Sequence, residues 1–124
     1  MIDLQQFVSS IRHAIRGAVT VFRHEQNFRV QCLVAIFVLA LALWLRVSMT
    51  GFVALWLVIG AVLVLEIVNT VLERLVDAFK PRLHPLVGEI KDIMAAAVLI
   101  ASLVAVGVGL SVLLNPFLAR MGVV

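Results

Sequence analysis

Charge is scarce in this chain. Asp, Glu, Lys and Arg make up 14% of its 124 residues, while 64% are hydrophobic. Soluble domains are nearer a quarter charged, so this composition excludes an ordinary soluble fold and points to a membrane protein. Cysteine is nearly absent: the single Cys32 excludes an intramolecular disulfide and a Cys-based zinc site. No Ser-, Gly- or Pro-rich linker, internal repeat or low-complexity tract interrupts the sequence, so residues 1–124 read as one domain. GxxxxGKS/T, GxGxxG and HxxEH patterns are missing, which leaves soluble nucleotide-binding folds unsupported. Residues 1–29 hold no apolar core long enough for a cleavable signal, so the N-terminus is expected to be retained.

What the chain does have is long apolar runs and one amphipathic segment. In residues 4–24, Phe7, Val8, Ile11, Ile15, Ala18, Val19 and Phe22 recur at steps of three and four, with Arg12, His13, Arg16, Arg23 and His24 on the remainder. This is the pattern of a helix lying in the headgroup plane, its arginines towards anionic lipid. The expected layout is an all-α membrane protein: a surface helix within 1–29, then membrane helices over 30–46, 52–79 and 89–114. Trp44 and Arg46 mark the far end of the first span as an interfacial anchor. Pro81 and Pro85 end the second, and Asn115-Pro116 is expected to interrupt the third.

Basic residues set the orientation. Four precede the first span (Arg12, Arg16, Arg23, Arg29) and four lie between the second and third (Arg74, Lys80, Arg82, Lys91), against Arg46 and Arg120 on the other side. The positive-inside rule then places the N-terminus and the 74–91 segment in the cytoplasm. All the carboxylates fall on that side too, so carboxylate chemistry would face the cytoplasm. The net charge of +3 is explained by this flanking of apolar spans, with no need for nucleic acid.

The most informative stretch is the second span, which runs from Phe52 to Leu65 and carries straight on into Glu66, Asn69, Glu73 and Asp77. Offsets of three, seven and eleven put these side chains on one helix face. With hydrocarbon from about Phe52 over about 20 residues, Glu66 lies about 7–8 Å inside the cytoplasmic boundary. A carboxylate there costs about 2.5–3.5 kcal/mol on insertion scales, so it needs a partner or a use. Three helices offer little room to shield it, which suggests that a neighbouring subunit covers it. Carboxylates with an Asn and no thiolate suit a hard cation such as Mg²⁺, which completes its shell with phosphate oxygens. Lys91-Asp92 adds a cation beside an anion at the start of the third helix, and Glu25 is a further acidic candidate. The plainer account is that Glu66 and Asn69 bond between helices while Glu73, Asp77, Lys91 and Asp92 are solvated. His13 and His24 read first as headgroup contacts, and His84 as either a loop-ordering residue or a nucleotide contact.

The string Glu66-Ile67-Val68-Asn69-Thr70-Val71-Leu72-Glu73, with Asp77, His84-Pro85-Leu86 and Lys91-Asp92-Ile93-Met94-Ala95-Ala96-Ala97-Val98, resembles the prokaryotic diacylglycerol kinase and undecaprenol kinase family. Ala14, Gly17, Phe22, Glu25, Asn27 and Arg29 fit the same pattern, so the resemblance covers essentially the whole chain. It implies a homotrimeric bundle in the cell membrane, with a surface helix and three membrane helices per subunit, transferring the γ-phosphoryl group of Mg-ATP to a lipid hydroxyl. It implies Glu66 as general base, Glu25 and Glu73 as ligands of Mg²⁺ and nucleotide, and Asn69, Lys91 and Asp92 positioning phosphates or completing the site. Arg82, Leu83 and His84 would border the nucleotide. Where the best-known branch carries an Arg and a Tyr around the nucleotide, this chain has Gln6 and His13, with Arg12 and Arg16 available as substitutes or as lipid-substrate contacts beside Glu66. His84-Pro85-Leu86 is closer to the undecaprenol kinase branch. Undecaprenol is therefore the first choice of acceptor and diacylglycerol the second. A small proton- or cation-coupled transporter using Glu66, and a non-catalytic helical subunit, are the competitors from other classes.

Overall fold

A computed structural model describes residues 3–79 and 84–123, with the side chains of Phe79, His84 and Pro85 outside the description. Four helices follow in order: α1 Leu4–His24, α2 Gln26–Leu45, α3 Met49–Phe79 and α4 His84–Arg120. No strand occurs among the described residues. α2, α3 and α4 are long and apolar enough to cross a membrane. The chain is thus a multi-pass membrane protein, with an amphipathic helix before its spans. At 1.5 Å per residue α2 measures about 30 Å, one hydrocarbon thickness, whereas α3 and α4 exceed it and carry their ends beyond.

Each helix end has a local cause. Asp3 caps α1, its carboxylate accepting from the backbone N–H groups of Gln5 (3.0 Å) and Gln6 (3.3 Å). Glu25 leaves helical geometry at φ −104°, ψ 115°, and this single extended residue separates the surface helix from the first span. Arg29 stabilises the corner: its Nη1 donates to the carbonyls of Phe22 (3.2 Å) and Arg23 (2.9 Å), the orphan acceptors at the end of α1. α2 stops where Arg46 turns left-handed (φ 54°) and Val47 N–H returns to the carbonyl of Ala42. Ser48 then starts α3, its hydroxyl accepting from Gly51 N–H at 3.2 Å. The second span thus begins at Met49, three residues before the expected Phe52.

α3 is the central helix, packed chiefly on α4 and next on α2. Its buried side chains, Leu55, Val62, Glu66, Thr70 and Val76, recur at steps that keep one stripe inward. Gly51 lies where α3 comes close to α4: an added Cβ there would lie 2.8 Å from Cγ1 of Val112. Two expectations about α4 are corrected. It opens at His84 rather than near Glu89, and it passes through Pro116 to Arg120. A proline costs one backbone bond there. The turn beyond it is pinned to α2 by Arg120, which donates to the Trp44 carbonyl (3.2 Å) and lies 4.4 Å from the Trp44 ring centroid.

Candidate active site

Glu66 is the most deeply placed ionisable group of the cluster, only 3% exposed. It sits in mid-α3 because the apolar stripe before it continues through its position. Across the interface, Gln31 of α2 donates from Nε2 to Glu66 Oε2 at 3.1 Å. Thr70, buried one turn on, donates its hydroxyl to the Glu66 backbone carbonyl at 3.0 Å. A hydrogen bond to a charged group contributes about 1.5–3 kcal/mol, the order of the cost of placing a carboxylate in lipid. Glu66 is thus covered within a single chain by α2, and its burial by itself does not call for a neighbouring subunit.

Towards the helix end the stripe becomes wetter. Asn69 Nδ2 donates to Glu73 Oε1 at 3.2 Å, both side chains being part-buried, while Asn69 Oδ1 is buried with no partner. Glu73 lies about 10 Å along the axis from Glu66. Asp77, exposed, accepts from Lys91 Nζ of α4 at 2.8 Å. The stripe thus faces α2 at its buried end and reaches α4 at its exposed end.

Two ion pairs link the helices at this end. Lys91 pairs with Asp77, fourteen residues away, rather than with its neighbour Asp92, which is exposed on α4. Glu25, the further acidic candidate for a metal, holds Arg74 at 3.3 Å. The pair ties the α1–α2 corner to α3 beside Glu73. Among the described residues no three His, Cys, Asp or Glu side chains gather as a ready-made metal site. Arg12, His13 and Arg16 are exposed on α1. Arg82 and Leu83 lie outside the described residues, as does the His84 side chain, whose backbone opens α4.

An apolar groove of about 490 Å³ runs between α2, α3 and α4. Val34, Val62, Val106 and Leu110 are among its walls, Phe117 lies towards one end, and Gln31 borders it at the Glu66 end. Its volume falls within the range of small-molecule sites. The arrangement joins an apolar groove to a buried carboxylate and then to a row of carboxylates and cations. Gln31 and Arg74 escaped the sequence reading. The lone amide inside an apolar span was the available signal for Gln31, since a polar group in a span needs a partner.

Residues 12–113 match the family described as prokaryotic diacylglycerol kinase. The chain is 32% identical over 112 residues to an undecaprenol kinase of Bacillus subtilis (strain 168), covering 90% of this chain and 91% of that protein. It is 35% identical over 113 residues to a diacylglycerol kinase of Synechocystis sp., covering 90% of this chain and 65% of that protein. It is 31% identical over 101 residues to a diacylglycerol kinase of Escherichia coli (strain K12), covering 82% of this chain and 83% of that protein.

Proposed function

The chain belongs to the prokaryotic diacylglycerol kinase family and is a lipid kinase with ATP as its phosphoryl donor, and from that premise we propose that it phosphorylates undecaprenol in the cell membrane, from the cytoplasmic face. The observation that carries the reading is the Glu66 carboxylate, buried beside the apolar groove and aligned with Asn69 and Glu73 towards the charged end of the helices. The acceptor choice is supported by likeness to the Bacillus subtilis undecaprenol kinase along nearly the full length of both chains. Diacylglycerol is the second reading, favoured by likeness to diacylglycerol kinases at similar identity.

In this scheme the acceptor's hydrocarbon lies in the groove and its hydroxyl meets Glu66. Glu66 takes the hydroxyl proton as the lipid oxygen bonds to the γ-phosphorus. The bond from that phosphorus to the β–γ bridging oxygen breaks, and ADP leaves. Asn69, Lys91 and Asp92 position the phosphates, and Lys91 adds positive charge where negative charge builds up. The residues fit a hard divalent cation. Asn69 Oδ1 is a buried oxygen with no donor, Glu73 supplies a carboxylate oxygen next to the Asn69 amide, and Glu25 would supply another from the α1–α2 corner. When bound with the nucleotide, Mg²⁺ would neutralise phosphate charge, and phosphate oxygens would complete a shell that the protein only begins. Glu25 would then exchange Arg74 for the metal. On α1, His13 would contact the nucleotide while Arg12 and Arg16 hold lipid headgroups; Arg82, Leu83 and His84 would border the nucleotide.

The deciding experiment supplies the purified protein in detergent with Mg-ATP and either undecaprenol or diacylglycerol. Phosphate appearing on undecaprenol at least tenfold faster is the expected result. Preference for diacylglycerol would transfer the assignment to the second reading, and ATP use indifferent to any lipid alcohol would overturn both.

A further inference from the structure

Among the described residues, Gln31 is the one polar side chain hydrogen-bonded to the carboxylate of Glu66. The charged groups near the site are engaged elsewhere: Glu73 with Asn69, Lys91 with Asp77, Arg74 with Glu25, and Arg29 with the carbonyls ending α1. Gln31 uses only half of its amide. Its Nε2 donates to Glu66 Oε2, while its own Oε1 is buried without a partner. A buried carbonyl oxygen left unpaired is unfavourable and calls for an explanation. Gln31 also borders the apolar groove, so it stands where a hydrocarbon chain would end and a hydroxyl begin.

We infer that Gln31 is a positioning residue that holds Glu66 both before and after it takes the proton of the acceptor hydroxyl. This rests on Glu66 acting as the base. With Glu66 ionised, the Gln31 N–H fixes Oε2 and leaves Oε1 of Glu66 to receive the proton. Once the proton has moved, Glu66 becomes a hydrogen-bond donor. With its N–H still on Oε2, Gln31 offers its unpaired oxygen as the acceptor that the Oε1 hydroxyl of the protonated acid needs, amide and carboxyl then facing each other donor to acceptor. The proton leaves to water after the phosphorylated lipid departs, and Glu66 is again a carboxylate held by the Gln31 N–H. An amide can serve both states because it carries a donor and an acceptor on one rotor. A purely apolar side chain of the same length would serve neither.

The test uses the full chain in detergent with undecaprenol and Mg-ATP, comparing Gln31→Met, Gln31→His and Glu66→Gln. Gln31→Met keeps length and fills the groove but removes the donor. It is expected to lower kcat by about 10- to 100-fold, the scale of a misplaced catalytic group, with KM for Mg-ATP within about twofold of the parent. Gln31→His keeps one ring N–H and is expected to stay within about fivefold of the parent. Parent-like kcat in Gln31→Met, or equal losses in the two variants, would overturn the inference. Should Gln31→Met fail to fold by circular dichroism, Gln31→His decides alone: activity within fivefold sustains the inference, and a loss as deep as that of Glu66→Gln overturns it. Normal turnover in Glu66→Gln would instead sink the underlying assignment of the base, which keeps the two failures apart.

Discussion

Glu25 and Arg74 set a competition at the scale of single residues. Their ion pair is exposed, and such pairs contribute only about 0–1 kcal/mol, so a divalent cation could take the carboxylate from the guanidinium at little cost. Arg74→Ala should therefore lower the Mg²⁺ concentration for half-maximal activity about two- to threefold, and Glu73→Ala should raise it at least tenfold. A magnesium titration of initial rates checks both, and an unchanged curve for Glu73→Ala would remove that residue from the metal site. The sequence made Glu66, Asn69 and Glu73 legible because a carboxylate continuing an apolar helix is costly enough to stand out. It left the partners illegible. Lys91 stands next to Asp92 in the chain yet pairs with Asp77, because contact between α3 and α4 depends on how two helices pack, and a one-dimensional string does not carry that.

At the scale of elements, the α3–α4 contact is the most extensive in the bundle, and Gly51 lies within it against Val112 of α4. A Cβ at 2.8 Å from Val112 would push the helices apart. Gly51→Val should accordingly destabilise the protein by about 1–3 kcal/mol, read as a lower midpoint in thermal or dodecyl sulfate unfolding, while Gly60→Ala, which meets nothing within 4 Å, should not shift it comparably. The amphipathic first helix and the three apolar ones were legible from periodicity and run length alone. Their ends were less so. Ser48 caps α3 earlier than the apolar run implied, and Pro116 fails to end α4 because Arg120 and Trp44 secure the turn beyond it. Proline raises the cost of continuing a helix, and a tertiary contact can meet that cost.

For the whole molecule, Arg120 and Trp44 meet at one end of the bundle, while Glu25 meets Arg74 and Lys91 meets Asp77 at the other. The proposed orientation, with the second end in the cytoplasm, rests on the basic residues crowded there. A cysteine at exposed Glu89, in a Cys32→Ala background, should resist a membrane-impermeant maleimide in intact cells, whereas one at exposed Met121 should react. The reverse pattern would put the charged end outside, away from ATP. The homotrimer that the family resemblance implies predicts a cross-linked ladder ending at three subunits. The proposed chemistry depends on a carboxylate lodged between an apolar groove and a row of charged side chains. The most direct measurement is transfer of labelled γ-phosphate from Mg-ATP to undecaprenol by folded Glu66→Gln beside the parent protein. We predict labelled lipid from the parent and at least a hundredfold less from the variant; equal labelling by the two would contradict the account.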